Sequence, residues 1–371
     1  MTSTVEEQDK YFIKRALRIA EKGRGGVSPN PMVGALIVKD GKLIAEGFHQ
    51  KFGEAHAEVN ALYKAGDNAA GAVLYSNLEP CAHKGKTGPC TERILAAGIA
   101  RVVVGMKDPN PLVNGKGINF LRSKGIVVKD NILHDECVVL NRGYIKHVTT
   151  GRPLVTIKIA QTLDARIATS TGNSKWITSQ EARIWGHRLR SEHDAIIAGV
   201  GTVLADDPQL TTRLIKGVSP KRIILDSQLQ IPLDATVITG ENASNTTIIT
   251  TEEASKEKIA RIEERGALVH VLEADDRGWV PQDVLWETIG KMGITSVLIE
   301  GGNSVQTECI KGKNADRIVV FVAPKILGTG IDAIGDLGIK NINAAIEIIN
   351  MKVKRFTSGD LMISGDFKID E

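Results

Sequence analysis

The chain has 371 residues, of which 42% are hydrophobic, 25% charged and 4% aromatic, with a formal net charge of +3. That composition excludes a disordered chain, a collagen and a disulfide scaffold, and a length well beyond the ~100–200 residues of one domain predicts two. Charges of both signs are interleaved without a concentrated basic footprint, so nucleic acid is not an expected partner. The opening stretch Met1-Thr2-Ser3-Thr4-Val5-Glu6-Glu7 lacks a basic segment followed by an apolar one, and no segment approaches ~18 uninterrupted apolar residues. No secretory signal and no membrane span are therefore expected, and a cytoplasmic location with reduced cysteines is.

In chain order, Phe12, Ala16, Ile19 and Ala20 recur at helical spacing and predict a helix over Asp9–Glu21. The stretch from Gly23 to Pro31, rich in Gly, Ser, Asn and Pro, reads as a loop. Val33–Val38 and Lys42–Phe48 predict two strands joined by an Asp40-Gly41 turn. A helix over His56–Ala65, a strand over Ala72–Ser76, a short helix over Cys90–Ala97 and a strand over Arg101–Gly105 follow. Lys116–Lys124 reads as a helix, Ile126–Val128 as a strand and Leu133–His147 as a helix. Thr149-Thr150-Gly151-Arg152-Pro153 is the best linker candidate. It divides the chain into residues 1–150 and 151–371.

After it the α/β pattern restarts. Strands are expected at Leu154–Ala160, Ala195–Ala198, Arg222–Leu225, Thr247–Thr250, Leu268–Leu272, Ser296–Ile299 and Arg317–Phe321. Helices are expected at Ser179–Glu192, Glu253–Arg265, Asp283–Met292 and Ser304–Cys309. The fold class is thus α/β throughout.

The strongest chemical signal is His56-Ala57-Glu58, followed by Pro80-Cys81 and then Cys90. One imidazole and two thiolates suit a Zn²⁺ that keeps a fourth position open for water, and such a water turns acidic near neutral pH. Two helical residues span ~200° of rotation, so His56 and Glu58 do not share a helix face. They fit the start of a helix, with Glu58 beside the metal to move protons. Cys90 also falls at an expected helix start, where the partial positive charge would favour its thiolate. H-x-E with P-C-x-x-C is the arrangement of zinc nucleobase deaminases. Here eight residues separate the cysteines, not two. A structural zinc site or two unrelated thiols is the plainer alternative, but structural sites close with four protein ligands and only three are evident here. Cys137 and Cys309 lie in helical runs and read as small core residues. His134, His147, His187, His193 and His270 show no partner pattern and read as structural or exposed.

The segments Ser28-Pro29-Asn30-Pro31-Met32-Val33-Gly34, His56-Ala57-Glu58, the run from Leu78 to Cys90 and Asp108-Pro109-Asn110-Pro111 resemble the riboflavin-biosynthesis deaminases. The long insert between the cysteines belongs to that family. With Lys158, Asp164, Trp176, Asp206 and Glu300 the resemblance covers nearly the whole chain. It extends to the bifunctional diaminohydroxyphosphoribosylaminopyrimidine deaminase/5-amino-6-(5-phosphoribosylamino)uracil reductase family. The resemblance implies a cytidine-deaminase-like three-layer α/β/α domain, then a dihydrofolate-reductase-like α/β domain. It implies one Zn²⁺ on His56, Cys81 and Cys90, and Glu58 as proton shuttle. Asn30, His49, His83, Lys86 and Asn110 would hold a pyrimidine ribose phosphate. Gly88 stands where the family usually has proline. The implied assembly is a homo-oligomer acting on small molecules.

The second half lacks G-x-G-x-x-G. Gly199-Val200-Gly201-Thr202 and Glu300-Gly301-Gly302-Asn303 both read as strand, glycine turn and helix start, each a weak dinucleotide signal. The resemblance assigns Ala160, Trp176, Thr202, Asp206, Ser227 and Gly302, Asn303, Ser304, Val305 and Gln306 to NADPH. It assigns Ser174, Arg190, Leu210, Arg213 and Glu300 to the reductase substrate. Lys158 and Glu300 are the expected proton handlers, and Arg190 and Arg213 the expected phosphate forks. Ala165 replaces the family's usual glycine, which strains the turn if that position needs positive φ. Two other enzyme readings compete: a tRNA or free-base deaminase fused to an accessory domain, and a deaminase with a decayed reductase half. A zinc-stabilised binding module is the non-enzymatic alternative.

Overall fold

The computed structural model describes residues 4–82, 88–240 and 243–368. The chain forms two compact units, Met1–Arg152 and Pro153–Glu371.

The first unit opens with α1 (Val5–Ala20), whose Thr4 and Glu7 close a capping box. Strands β1 (Gly34–Lys39) and β2 (Lys42–Phe48) form a hairpin. Its turn residues Asp40 and Gly41 both have positive φ, the geometry that matches the twist of paired strands. Then come α2 (Ala57–Ala65), β3 (Val73–Leu78), α3 (Cys90–Ala96), β4 (Arg101–Met106), α4 (Lys116–Ser123), β5 (Val127–Lys129) and α5 (His134–Thr150). Among the described residues the sheet order is β2-β1-β3-β4-β5, with β3, β4 and β5 parallel. Helix α1 packs on β1, β3 and β4 and meets α5; α2 packs on β1 and β2 and meets α3, which meets α4. Helices thus cover the sheet as two sets around a core of Leu36, Leu74, Val103 and Ile118.

Helix α5 continues through Thr149 and Thr150, into the expected linker. The Thr149 hydroxyl donates to Ile145 O and the Thr150 hydroxyl to Lys146 O, so both β-branched residues satisfy themselves inside the helix. Gly151, at φ +73°, then ends it.

The second unit contains β6 (Leu154–Thr162), β7 (Arg166–Thr169), α6 (Gln180–Glu192), β8 (Ala195–Gly199), α7 (Val200–Asp206), β9 (Lys221–Leu225), β10 (Thr246–Thr251), α8 (Lys256–Glu263) and β11 (Leu268–Leu272). It continues with α9 (Gln282–Lys291), β12 (Ser296–Glu300), α10 (Asn303–Lys311), β13 (Arg317–Ala323), β14 (Gly330–Asp332), β15 (Ile348–Arg355) and β16 (Leu361–Phe367). The main sheet has the order β11-β10-β9-β8-β12-β6-β13-β16-β15. Its strands from β11 to β13 run parallel, and β16 and β15 are antiparallel additions. Alternation places Val297 and Ile299 of β12 in one apolar cluster and Leu298 in another on the opposite face. Helix α8 is shorter than expected because Ser255 caps it, its side chain accepting from Lys258 N. The β15–β16 hairpin and the short β7–β14 pair are not anticipated in the sequence reading.

Candidate active sites

In the first unit the chemistry gathers beyond the carboxyl ends of β3 and β4, where open parallel sheets place their ligands. His56 is the N-cap of α2, and Glu58 lies in the helix's first turn. The two side chains therefore meet off the end of the helix, as their spacing requires. His56 Nδ1 is 3.5 Å from Cys81 Sγ and 3.2 Å from Cys90 Sγ, and one donor atom from each residue lies within 4.8 Å of the others. Tetrahedral Zn²⁺ with bonds of ~2.0–2.3 Å separates its ligands by about 3.6 Å, so the donor set fits that ion in kind and spacing.

Cys90 opens α3, but the helix's positive end does not serve its own sulfur. The Cys90 backbone N–H donates to Cys81 Sγ at 3.4 Å, and the Cys90 thiol faces Glu58 Oε2 at 3.6 Å. Glu58 is buried, and desolvation lifts its carboxyl to about 7.

A cavity of about 390 Å³ opens over these groups. Asn30, His49 and Asn110 line it as expected. His49 Nδ1 lies 3.1 Å from Ala55 O, so it donates there and leaves Nε2 to accept from Asn30 Nδ2 at 3.1 Å. Asn30 thus spends its amide nitrogen on His49. Asn110 Oδ1 accepts from Leu112 N, and its amide nitrogen is turned toward the Tyr144 hydroxyl. His83 and Lys86 lie outside the described residues. Gly88 is exposed, and a Cβ there would meet nothing within 4 Å.

The sequence reading misses several residues of this cavity. Asp108 accepts the Tyr144 hydroxyl at 2.8 Å and the Asn110 backbone N–H at 2.9 Å. Tyr144 and His147, three apart on α5, both line the cavity. Their helical spacing was a usable signal. Asp108 stood in a quoted motif without a role. Cys137 and Cys309 are buried in apolar clusters, as expected.

In the second unit, Lys158 and Glu300 are register partners on β6 and β12, with Lys158 Nζ 3.6 Å from Glu300 Oε2. Arg190 of α6 clamps the same carboxylate, Nε to Oε1 at 3.0 Å and Nη2 to Oε2 at 2.6 Å, and its Nη1 donates to Thr211 O. Against the cost of burial, Arg190 and then Lys158 hold the Glu300 carboxyl down at about 2. Glu300, expected to handle protons, is thus paired with both Arg190 and Lys158. Arg190 is not a free phosphate fork, because its fork is closed on Glu300. Arg213 is exposed, and its backbone N–H donates to Nδ1 of the buried His187. Burial and the nearby Arg190 lower His187 to about 4, which keeps it a neutral acceptor. Sequence reasoning gave it no role. Leu210 is buried at φ +53° beside this segment.

The two glycine turns meet. A Cβ on Gly301 would lie 2.8 Å from Thr202 Oγ1, and one on Gly199 would lie 2.9 Å from a Val305 methyl. The start of α7 thus stands against the start of α10. Gly302, Asn303 and Ser304 edge this turn. Asn303 Nδ2 donates to Asp332 O, and the buried Gln306 donates to Lys158 O at 3.4 Å while its own Oε1 finds no partner among the described residues. Trp176 is 60% exposed, which rules out a core-filling role, and Arg183 stacks over its ring at 4.3 Å. Lys175 pairs with Asp206 at 3.2 Å. Ala160 and Ser174 are half-buried. Ser227 stands at the end of β9, one strand beyond β8, its carbonyl accepting the Thr250 and Thr251 hydroxyls. Asp164 accepts from Leu327 N and Gly328 N, and Ala165 beside it has φ +62°.

Comparison with known proteins covers both units. The family described as "Cytidine and deoxycytidylate deaminase zinc-binding region" matches residues 6–106. The "RibD C-terminal domain" family matches residues 153–361. "Riboflavin biosynthesis protein RibD" of Aquifex aeolicus is 45% identical over 360 residues, 97% of this chain and 98% of that protein. The solved Acinetobacter baumannii RibD superposes with a TM-score of 0.87 at 35% identity, covering 98% of this chain and 100% of that one. A Thermotoga maritima diaminohydroxyphosphoribosylaminopyrimidine deaminase/5-amino-6-(5-phosphoribosylamino)uracil reductase gives 0.82 at 35% identity, with the same coverage. The units accordingly carry a cytidine-deaminase-like fold and a dihydrofolate-reductase-like fold of the RibD type. The chain belongs to the RibD family, the bifunctional deaminase/reductases of riboflavin biosynthesis.

Proposed function

We propose that the first unit deaminates 2,5-diamino-6-ribosylamino-4(3H)-pyrimidinone 5′-phosphate by hydrolysis, and that the second reduces 5-amino-6-(5-phosphoribosylamino)uracil with NADPH. The observation that carries the first step is the convergence of His56, Cys81 and Cys90 beside the buried Glu58 at the cavity. Zinc held by those three donors supplies Lewis acidity that makes a water reactive near neutral pH. Glu58 takes one proton of the attacking water to the ring nitrogen, then carries the hydroxyl proton of the resulting adduct to the amino group, which leaves as ammonia. The Asn30 oxygen accepts from the ring edge and the Asn110 amide donates to the substrate. His83 and Lys86 hold the ribose phosphate.

In the second unit a pyrophosphate would sit at the joined turns of Thr202 and Gly301, on the backbone N–H groups that open α10; the close approach of the two side-chain-free turns supports this. Gly302, Asn303, Ser304, Val305 and Gln306 line that site, with Ala160, Trp176, Asp206 and Ser227 along the rest of the cofactor. The ring-opened ribosylamine is an imine at C1′; hydride from NADPH adds to that carbon and a proton to the nitrogen, leaving a ribitylamine. Lys158 supplies the proton. Glu300 and Arg190 fix the Lys158 ammonium, while Ser174, Leu210 and Arg213 meet the substrate, Arg213 at its phosphate. The protein acts as a cytoplasmic homo-oligomer on small molecules. Strand β15 supports self-association, since it ends the sheet with Ile349, Met351 and Val353 exposed.

The test combines metal content, ammonia release and loss of reduced-nicotinamide absorbance on the diaminopyrimidine phosphate. One zinc per chain, ammonia release and then NADPH oxidation are expected. A chelator should stop ammonia release while NADPH oxidation on supplied aminouracil continues. Ammonia release unaffected by metal removal would refute the deaminase reading.

A further inference from the structure

Glu79 is buried at 3% exposure and precedes Pro80-Cys81, and its carboxylate accepts four backbone N–H groups. Its Oε2 accepts the backbone N–H of Asp108 at 3.2 Å and of Gly115 at 2.9 Å. Its Oε1 accepts those of Gly117 at 2.9 Å and Ile118 at 3.2 Å. One oxygen therefore ties together the two ends of the loop that carries Asn110. The other caps α4, whose own N-cap, Gly115, has no side chain to do so. A Cβ on Gly117 would collide with Pro80 O, so the start of α4 is seated directly on the residue beside the ligand Cys81. Within the loop, Asp108 accepts the Asn110 N–H, and Asn110 Oδ1 accepts Leu112 N. The placement of Asn110 thus depends on the two loop ends that Glu79 holds, together with the contact of its amide with the Tyr144 hydroxyl.

We propose that Glu79 is a positioning residue for deamination: it locks the substrate loop Asp108–Gly115 to the Pro80-Cys81 turn, setting the distance between the substrate-holding amide and the metal donors. This deepens the deaminase reading and rests on it. Four backbone donors converging on one carboxylate demand four acceptor positions. An amide offers acceptors on one side only and sets its NH₂ against the remaining two donors.

The experiment uses the full chain in a double-mutant cycle of Glu79→Gln and Asn110→Ala, with zinc content and NADPH oxidation on supplied aminouracil measured for each variant. Glu79→Gln should keep one zinc and full reductase turnover, and raise the deaminase KM by roughly tenfold or more with a much smaller change in kcat. In the Asn110→Ala background the same substitution should change KM less than about threefold, because the group it positions is gone. Additive effects, an unchanged KM, or loss of zinc as the cause of lost activity would overturn the proposal. Should Glu79→Gln not fold, amide exchange in the unaltered protein decides. Slow exchange at Asp108, Gly115, Gly117 and Ile118, released together, supports the clasp; free exchange at Asp108 and Gly115 overturns it. If Asn110→Ala alone leaves KM unchanged, the substrate-site assignment fails, separately from the clasp.

Discussion

Replacing Arg190 with Met tests whether the charge cluster of the second unit is organised as its geometry implies. The substitution removes a two-point clamp on a carboxylate that is 6% exposed, and a donor to Thr211 O. What remains for Glu300 is Lys158 at 3.6 Å. Breaking one side of a buried ion pair costs about 3–5 kcal/mol, because the surviving charge is left poorly compensated. Removing both charges in Arg190→Met/Glu300→Gln should cost clearly less than the sum of the single changes. All four tryptophans, Trp176, Trp185, Trp279 and Trp286, lie in Pro153–Glu371, so urea unfolding followed by tryptophan fluorescence reads that unit selectively. The acid limb gives a second readout. A carboxyl held at about 2 instead of 4.5 contributes stability fully above the unfolded value, and that contribution fades as pH falls from about 4.5 through about 2. With Arg190 gone the Glu300 carboxyl rises, and acid unfolding moves to higher pH. A loss under about 1 kcal/mol, together with an unshifted acid limb, would refute the clamp.

Two further outcomes follow from the structure. Glu58→Gln should retain zinc and abolish ammonia release, since the amide cannot carry the proton; unchanged turnover would remove Glu58 from the mechanism. Ala165→Gly should stabilise the second unit by about 1 kcal/mol and raise its Tm by about 2–4 °C, because alanine at φ +62° bears a left-handed cost that glycine does not. A lower Tm on calorimetry would show that this turn is not strained by its side chain.

Much of the first site is legible in the sequence because it is encoded locally. Helix rotation alone requires His56 and Glu58 to meet at a helix start, and they do. Asp40-Gly41 specifies its turn because both residues tolerate positive φ. The zinc donors need only residue type and a short span of chain. The sequence also raised the question at Ala165, though only the backbone answers it.

Tertiary structure decided the partners of the buried charges. Glu300 meets Arg190, 110 residues away, because β12 lies between β8 and β6 and α6 packs on that face. No local pattern announces that pairing. Glu79 reads as one more residue of a motif until strand order brings β4 beside β3 and sets the following loop over its carboxylate. Tyr144 and His147 reach the cavity because α5 folds back on the sheet. Spacing and φ/ψ preference act over a few residues and are written in the chain. A desolvated charge must take whichever opposite group or backbone donor the packing of distant strands delivers, and that choice exists only in the folded molecule.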